Sequence, residues 1–324
     1  MTALPAFLGA ALQSKLENVS RAALRGRAQA ISDTYRAGGS SSIIRTQDDS
    51  LAYALVRMPA TYAAVRTALT QTMDIAPDFA PRSLLDVGAG PGTASWAAAD
   101  AWPSLERITL VDSNPRLLDL AEEFRQAPGA PQADLSAVRG NIAEALGQTS
   151  AADVVMASYV LTEMAVETAV TVAAALWRLT ERLLVIVEPG TPHGFKRILA
   201  YRDRLLAQGA AIVAPCSHEG VCPLSTGDRW CHFSARLPRS RDHLLTKGAN
   251  VPFEDEKFSY LVAGKGFGEL DRGRRILATP HVGKAAISLT LCAPEAPADI
   301  AIARGDKDAY RAAKRLGWGD ALRA

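Results

Sequence analysis

Cysteine is scarce in this chain. There are four among 324 residues, and three of them fall in one stretch, CSHEGVCPLSTGDRWC, residues 216 to 231. So few thiols exclude a small disulfide-stapled scaffold. No run of about 18 apolar residues is present to span a bilayer. The start, MTALPAFLGAALQSKLENVSRAALRGRAQA, lacks the basic-then-apolar order of a signal peptide. Its Arg-rich amphipathic character imitates a transit peptide, but Glu17 and Asp33 fit ordinary surface helices better. These absences lead to the expectation of a soluble globular protein in a bacterial-type cytoplasm, with no membrane partner. In that reducing compartment the cysteines are metal ligands or buried thiols. Internal repeats and long low-complexity tracts are also missing.

Net charge is only +2, yet it is unevenly spread. Residues 61–228 carry twelve Lys/Arg against nineteen Asp/Glu, whereas residues 229–324 carry seventeen against eleven. An apolar share of 48% is ample for a large core. Apolar residues spaced by three and four through Leu12 to Ile31 and Leu51 to Met73 predict a helical region over 1–79, broken by the loop AGGSSS. From Ala80 the pattern alternates. The segments PRSLLDV, ERITLVD, ADVVMASYV and RLLVIVEPG read as strands, and helical stretches separate them. Such βαβ alternation predicts an α/β fold, a Rossmann-like parallel sheet over residues 80–210. Residues 211–324 read as a cysteine-bearing, basic extension with strands at KFSYLVAG and KAAISLTLCA.

In LLDVGAGPG a strand delivers Asp86 and then Gly88, Gly90 and Gly92, where the chain must turn sharply into a helix. Glycine there lets a ligand approach the backbone. A nicotinamide fingerprint would place another glycine where Thr93 stands. The G-x-G-x-G spacing instead resembles the first motif of class I S-adenosylmethionine methyltransferases. Asp112 closes the next strand 22 residues after Gly90, where a carboxylate accepts hydrogen bonds from a ribose diol. The same resemblance implies that Asn141 lies beside the adenine and that Ser158 and Tyr159 line the pocket. No catalytic residue is assigned. The Asn/Asp-Pro-Pro-aromatic tetrad of amino-directed methyltransferases is replaced by SYVL, and Pro215-Cys216 lies too far along the chain to be an RNA cytosine nucleophile.

Cys216, Cys222 and Cys231 are separated by five and eight residues, and Cys292 lies 61 residues beyond Cys231. Structural zinc sites usually open with a pair two to four residues apart, and none exists here. The spacing alone leaves three readings open: an iron–sulfur cluster, zinc with His218 or His232 as a further ligand, or buried thiols. The segments RMPATYAA, LLDVGAGPGTASWAA, VLTEM, VEPGTPHGF, APCSHEGVCPL, RWCHFSARLPR and GWGD are more specific. With them the chain resembles the methyltransferase-like family of mitochondrial small-ribosomal-subunit assembly factors and their bacterial homologues. That resemblance implies a four-iron, four-sulfur cluster on Cys216, Cys222, Cys231 and Cys292. It also implies the small ribosomal subunit or its precursor rRNA as partner, and leaves two roles: rRNA methyltransferase, or assembly factor without catalysis. Arginines of RLPRSRDH, DRGRRI and YRAAKRLGWGD would meet phosphates, with Trp318, Tyr310 and His243 set to stack on unpaired bases. The alternative for Trp318 is simple packing. Nothing in the sequence determines the oligomeric state.

Overall fold

The structure, a computed structural model, describes residues 1–17, 19–36 and 39–323. Ala37 and Gly38 of the expected AGGSSS loop lie outside the described residues, and Ser41–Ile43 form a short 3-10 turn. Four helices open the chain: α1 (Ala6–Leu16), α2 (Arg21–Arg36), α3 (Gln47–Val56) and α4 (Met58–Ile75). The helix expected over Leu51 to Met73 is thus two. Pro59 is the reason: it has no N–H to continue the ladder, but it is tolerated in the first turn of α4. Thr46 and Asp49 cap α3 reciprocally, with Thr46 N–H on Asp49 Oδ2 at 2.9 Å and Asp49 N–H on Thr46 Oγ1 at 3.2 Å. A cap of this kind contributes about 1 kcal/mol. Arg27 also reaches Asp49, which ties α2 to α3.

The alternating region follows as β1 (Ser83–Val87), α5 (Thr93–Ala101), β2 (Arg107–Asp112), α6 (Pro115–Arg125), β3 (Asp134–Arg139), α7 (Ile142–Leu146), β4 (Ala152–Ser158), α8 (Val166–Leu179), β5 (Thr180–Pro189) and α9 (Pro192–Leu206). Beyond it come β6 (Ala211–Ala214), β7 (Phe233–Pro238), α10 (Arg241–Lys247), β8 (Phe253–Gly264), β9 (Arg274–Arg275), β10 (His281–Val282), β11 (Ala286–Leu291), β12 (Ala298–Ala303), α11 (Lys307–Ala313) and β13 (Ala321–Leu322).

The central sheet runs β3-β2-β1-β4-β5-β8-β6, with β7 also paired to β8. The first five strands are parallel, and β8 is antiparallel between β5 and β6. This is the doubly wound, Rossmann-like α/β sheet that the alternation predicts, with one antiparallel strand inserted. The boundary expected after residue 210 falls between α9 and β6, and the strands beyond it complete the same sheet. The strand order reverses between β1 and β4, which opens a crevice at their carboxyl ends. Val87, Val111, Val155 and Ile186 build one buried face; Leu84, Leu110, Met156 and Val185 build the other. Helices α1 to α3 are docked on α5 and α6, where Leu12, Leu24 and Leu55 share a core with Trp96, Leu117 and Phe124. A separate small core of Ile276, Ile287, Leu289, Leu291 and Ala313 supports β10-β11-β12 and α11.

Candidate cofactor pocket and thiol cavity

At the switch point lies a cavity of about 320 Å³, within the range of small-molecule sites. Its floor is the turn after β1. Gly88 and Gly90 have φ of +69° and +55°. A Cβ on Gly88 would come within 2.3 Å of the Val160 side chain, so this position requires glycine. The loop is then clamped to β2. Gly90 N–H donates to Asp112 Oδ2 at 2.8 Å, and Asn114 N–H donates to Asp112 Oδ1 at 2.8 Å. Each carboxylate oxygen retains a lone pair for a ligand hydroxyl. Burial raises the Asp112 pKa, against the backbone bonds that lower it.

Gly88, Gly90, Asp112, Asn141, Ser158 and Tyr159 all line this cavity. Asn141 also caps α7, its Oδ1 accepting from Glu144 N–H at 3.0 Å. Ser158 Oγ is buried without a partner among the described residues, as expected of a group that waits for a ligand. Tyr159 has φ +60°, a conformation costly for a non-glycine residue, and its hydroxyl donates to Glu256 at 3.0 Å. Asp86 and Gly92 stand behind the turn instead. Asp86 is fully buried and accepts from Ser95 N–H and Oγ at 3.1 and 2.7 Å. Burial pushes its pKa up to about 6, partly offset by the Ser95 bonds. Gly92, φ +73°, precedes α5 beneath Trp96. The donor set fits adenosylmethionine: bare backbone at the turn, a strand-end carboxylate, and an orphaned hydroxyl.

Sequence reasoning missed part of the lining. Tyr35, Tyr53 and Arg57 from α2, the C-terminal half of α3 and the α3–α4 joint face the cavity, as does Glu163. Tyr35 and Tyr53 rings lie 6.2 Å apart. Glu163 is pushed up to about 7 by burial and by the charge of Asp112. The only signals were RMPATYAA and VLTEM, segments whose roles need long-range packing to read.

Farther along the sheet, Cys216 after β6, Cys222 in the loop, Cys231 before β7 and Cys292 after β11 line a second cavity. All four are free thiols. Phe195, Ile198, Leu224, Phe233 and Leu277 supply apolar walls, and Arg202 and Arg275 complete them. Burial raises the pKa of every one of the thiols, Cys222 to about 11, and the charges of neighbouring thiolates add to it for Cys222, Cys231 and Cys292. The loop is pinned from both sides: Trp230 Nε1 donates to Gly190 O at 3.0 Å, and Ser259 Oγ donates to Cys231 O at 2.8 Å. Among the described residues, no group of three His, Cys, Asp or Glu is arranged to hold a metal ion. His232 is stacked on Trp230 at 5.0 Å, whereas His218 Nε2 lies 4.0 Å from Cys292 Sγ. A shared cavity with four free sulfur donors and apolar walls fits the donor set of an iron–sulfur cluster.

Two expected RNA contacts, His243 and Arg275, are corrected. His243 is 1% exposed, and burial pushes its pKa down to about 4, so it cannot stack on a base. Arg275 is equally buried. Trp318 packs edge-on against His232 at 4.9 Å. Arg236 and Arg239 are paired with Asp255 and Glu254.

Residues 47–323 match the family described as mitochondrial small ribosomal subunit Rsm22. The human mitochondrial ribosome assembly protein METTL17 is 30% identical over 295 residues, covering 86% of this chain and 63% of its own. The fission-yeast mitochondrial protein Rsm22-cox11 tandem protein 2 is 32% identical over 196 residues, covering 55% of this chain and 26% of its own. This chain therefore spans less than two thirds of either relative's length. Among solved structures, magnesium protoporphyrin IX methyltransferase from Synechocystis with bound S-adenosylmethionine aligns with a TM-score of 0.43 at 12% identity, over 72% of this chain and 90% of that one. The mitochondrial relatives overturn the expected bacterial cytoplasm. Free cysteines signal a reducing compartment, which a mitochondrial matrix provides equally well, and so they could not decide between the two. Matched over most of its length, the chain belongs to the Rsm22 family of mitochondrial small-ribosomal-subunit proteins.

Proposed function

We propose that this protein is an assembly factor of the mitochondrial small ribosomal subunit that binds S-adenosylmethionine at the switch-point cavity and a four-iron, four-sulfur cluster at the thiol cavity. Family membership supports the partner, and the convergence of Cys216, Cys222, Cys231 and Cys292 on one cavity is the observation that carries the two-site reading. The backbone of Gly88 and Gly90 would receive the methionine end, Asp112 the ribose diol, Asn141 the adenine, and Ser158 and Tyr159 the adjoining wall. The cofactor supplies an activated methyl group when bound. The cluster supplies metal–thiolate bonds that make ligation part of folding.

The segment after β4 favours binding over methyl transfer. The hydroxyl of Tyr159 is committed to Glu256, and Tyr35, Tyr53 and Arg57 occupy part of the cavity wall that a target base would have to share. A methyltransferase acting on rRNA is the second reading, favoured by Glu163, a carboxyl poised near neutrality in the same cavity. Labelled S-adenosylmethionine incubated with the protein and immature small subunits separates them. Stable association without label transfer supports the assembly factor, and label on one mapped nucleotide supports the enzyme. Anaerobic reconstitution followed by absorbance and iron analysis tests the cluster; zinc without iron would overturn it.

A further inference from the structure

Arg202 and Arg275 are each 1% exposed, and both line the thiol cavity. A buried charge ordinarily has a buried counter-ion. Among the described residues, neither arginine has one. Arg202 donates to the carbonyls of His218 and Gly220 at 3.0 and 2.8 Å, both in the cysteine loop, and its contact to Asp203 is 3.6 Å long, to a carboxylate that is 74% exposed. Arg275 donates to the carbonyls of Pro215 and Gly319 at 2.9 and 2.8 Å and to the Gln71 amide. Nε of Arg202 and one terminal nitrogen of Arg275 are buried with no partner. The thiols lie within reach of both charges. The positive charge of Arg202 bears on Cys216 and Cys222, and that of Arg275 on Cys216, Cys231 and Cys292, so every thiol of the cavity feels the charge of at least one guanidinium. The third cation nearby, Arg272, is already spent on Glu219 at 3.2 Å.

We propose that Arg202 and Arg275 are the counter-charges of a metal–thiolate centre in this cavity. Four thiolates around a core of charge +2 carry −2, and two guanidiniums restore neutrality. The orphaned N–H groups then donate to sulfur, bonds that tune such a centre. This inference rests on the proposed metal site and goes beyond it, because it assigns these arginines to hold the centre and to set how readily it accepts an electron. Taking one electron from an external one-electron donor brings the centre to −3, and the two cations favour that state.

The test uses the full chain, reconstituted anaerobically with iron and sulfide. Arg202→Gln and Arg275→Gln are compared with Arg202→Lys and Arg275→Lys, which keep the charge. Iron loss to a chelator and the midpoint potential in a dithionite titration are measured in material of native circular dichroism. Each Gln variant is expected to lose iron at least tenfold faster and to shift the reduction equilibrium at least tenfold toward the oxidised form, about 59 mV for a one-electron couple. The Lys variants are expected to recover most of both. Should Arg275→Gln not fold, Arg202→Gln carries the test, since it gives up two loop carbonyls and one long contact to an exposed carboxylate. Folded, iron-loaded Gln variants with wild-type potential and release would overturn the inference. If the protein takes zinc and no iron, the cluster reading fails, and the counter-charge role is then read from zinc release in the same variants. If it takes neither metal, both fall.

Discussion

Asp112 holds the glycine turn and presents itself to the cavity at once. Both its oxygens already accept from backbone N–H groups, so the loop is formed before any ligand arrives. Asp112→Asn keeps the shape but removes the charge and one acceptor. Loss of a hydrogen bond to a charged group costs about 1.5–3 kcal/mol, so S-adenosylhomocysteine binding, read by calorimetry, is expected to weaken roughly tenfold or more. An unchanged dissociation constant would remove Asp112 from the site. Glu188, fully buried at the end of β5, supplies a second prediction. Burial pushes its pKa from 4.5 up to about 7, although Arg197, Tyr201 and Thr162 pull the other way. Between those two values the folded chain binds more protons than the unfolded chain at this residue, so its contribution to stability is lost as pH rises from about 4.5 through about 7. At about 1.4 kcal/mol per pH unit, the effect reaches roughly 3 kcal/mol. The wild-type thermal midpoint is expected to fall between pH 5 and pH 8 relative to that of Glu188→Gln. Parallel pH profiles would contradict it.

Among the elements, the cysteine loop between β6 and β7 has little regular structure. It is held by Trp230 on Gly190, Ser259 on Cys231 and Arg202 on two loop carbonyls. Cys292, whose carbonyl accepts from Ser217 Oγ at 3.5 Å, joins the small β10-β11-β12 sheet to this loop. Cys292→Ser is therefore expected to reduce iron content and to raise hydrogen exchange in β11 and β12 while leaving β1 and β4 protected. Uniform exchange throughout would show that this residue does not link the two. Legibility in the sequence followed burial at this scale. Strands β1, β2, β4 and β5 are buried on both faces and read as apolar runs, whereas β3, a sheet edge of largely exposed residues, gives no such signal, and β6, though apolar, is only four residues long. β8 extends to twelve residues because its polar first half pairs with β7, a partner no local pattern reveals.

At the scale of the whole molecule, the C-terminal cations divide into two populations. Arg275 faces inward and Arg236 and Arg239 are neutralised, while Lys284, Arg304, Lys307, Lys314 and Arg315 are exposed around the small β10-β11-β12 and α11 unit. RNA binding through that rim is expected to weaken steeply with salt. Replacing Arg304, Lys307 and Lys314 by Gln should lower the slope of log K against log salt by about 0.7 for each phosphate that the variant leaves unneutralised. An unaltered slope in a filter-binding series would move the RNA surface elsewhere.

By itself the sequence determined the doubly wound sheet and the glycine turn with its strand-end Asp112, while the set of four cysteines was what the family resemblance implied. Periodicity, glycine placement and residue scarcity are local properties, legible without folding. Only the tertiary structure decided that α2 and α3 line the switch-point cavity, that the thiols share their cavity with two buried guanidiniums, and which arginines reach solvent. Each of those depends on side chains far apart in sequence meeting across the sheet, and burial changes what the same residue type can do: Arg275 and Arg304 are chemically identical until one of them is taken out of water.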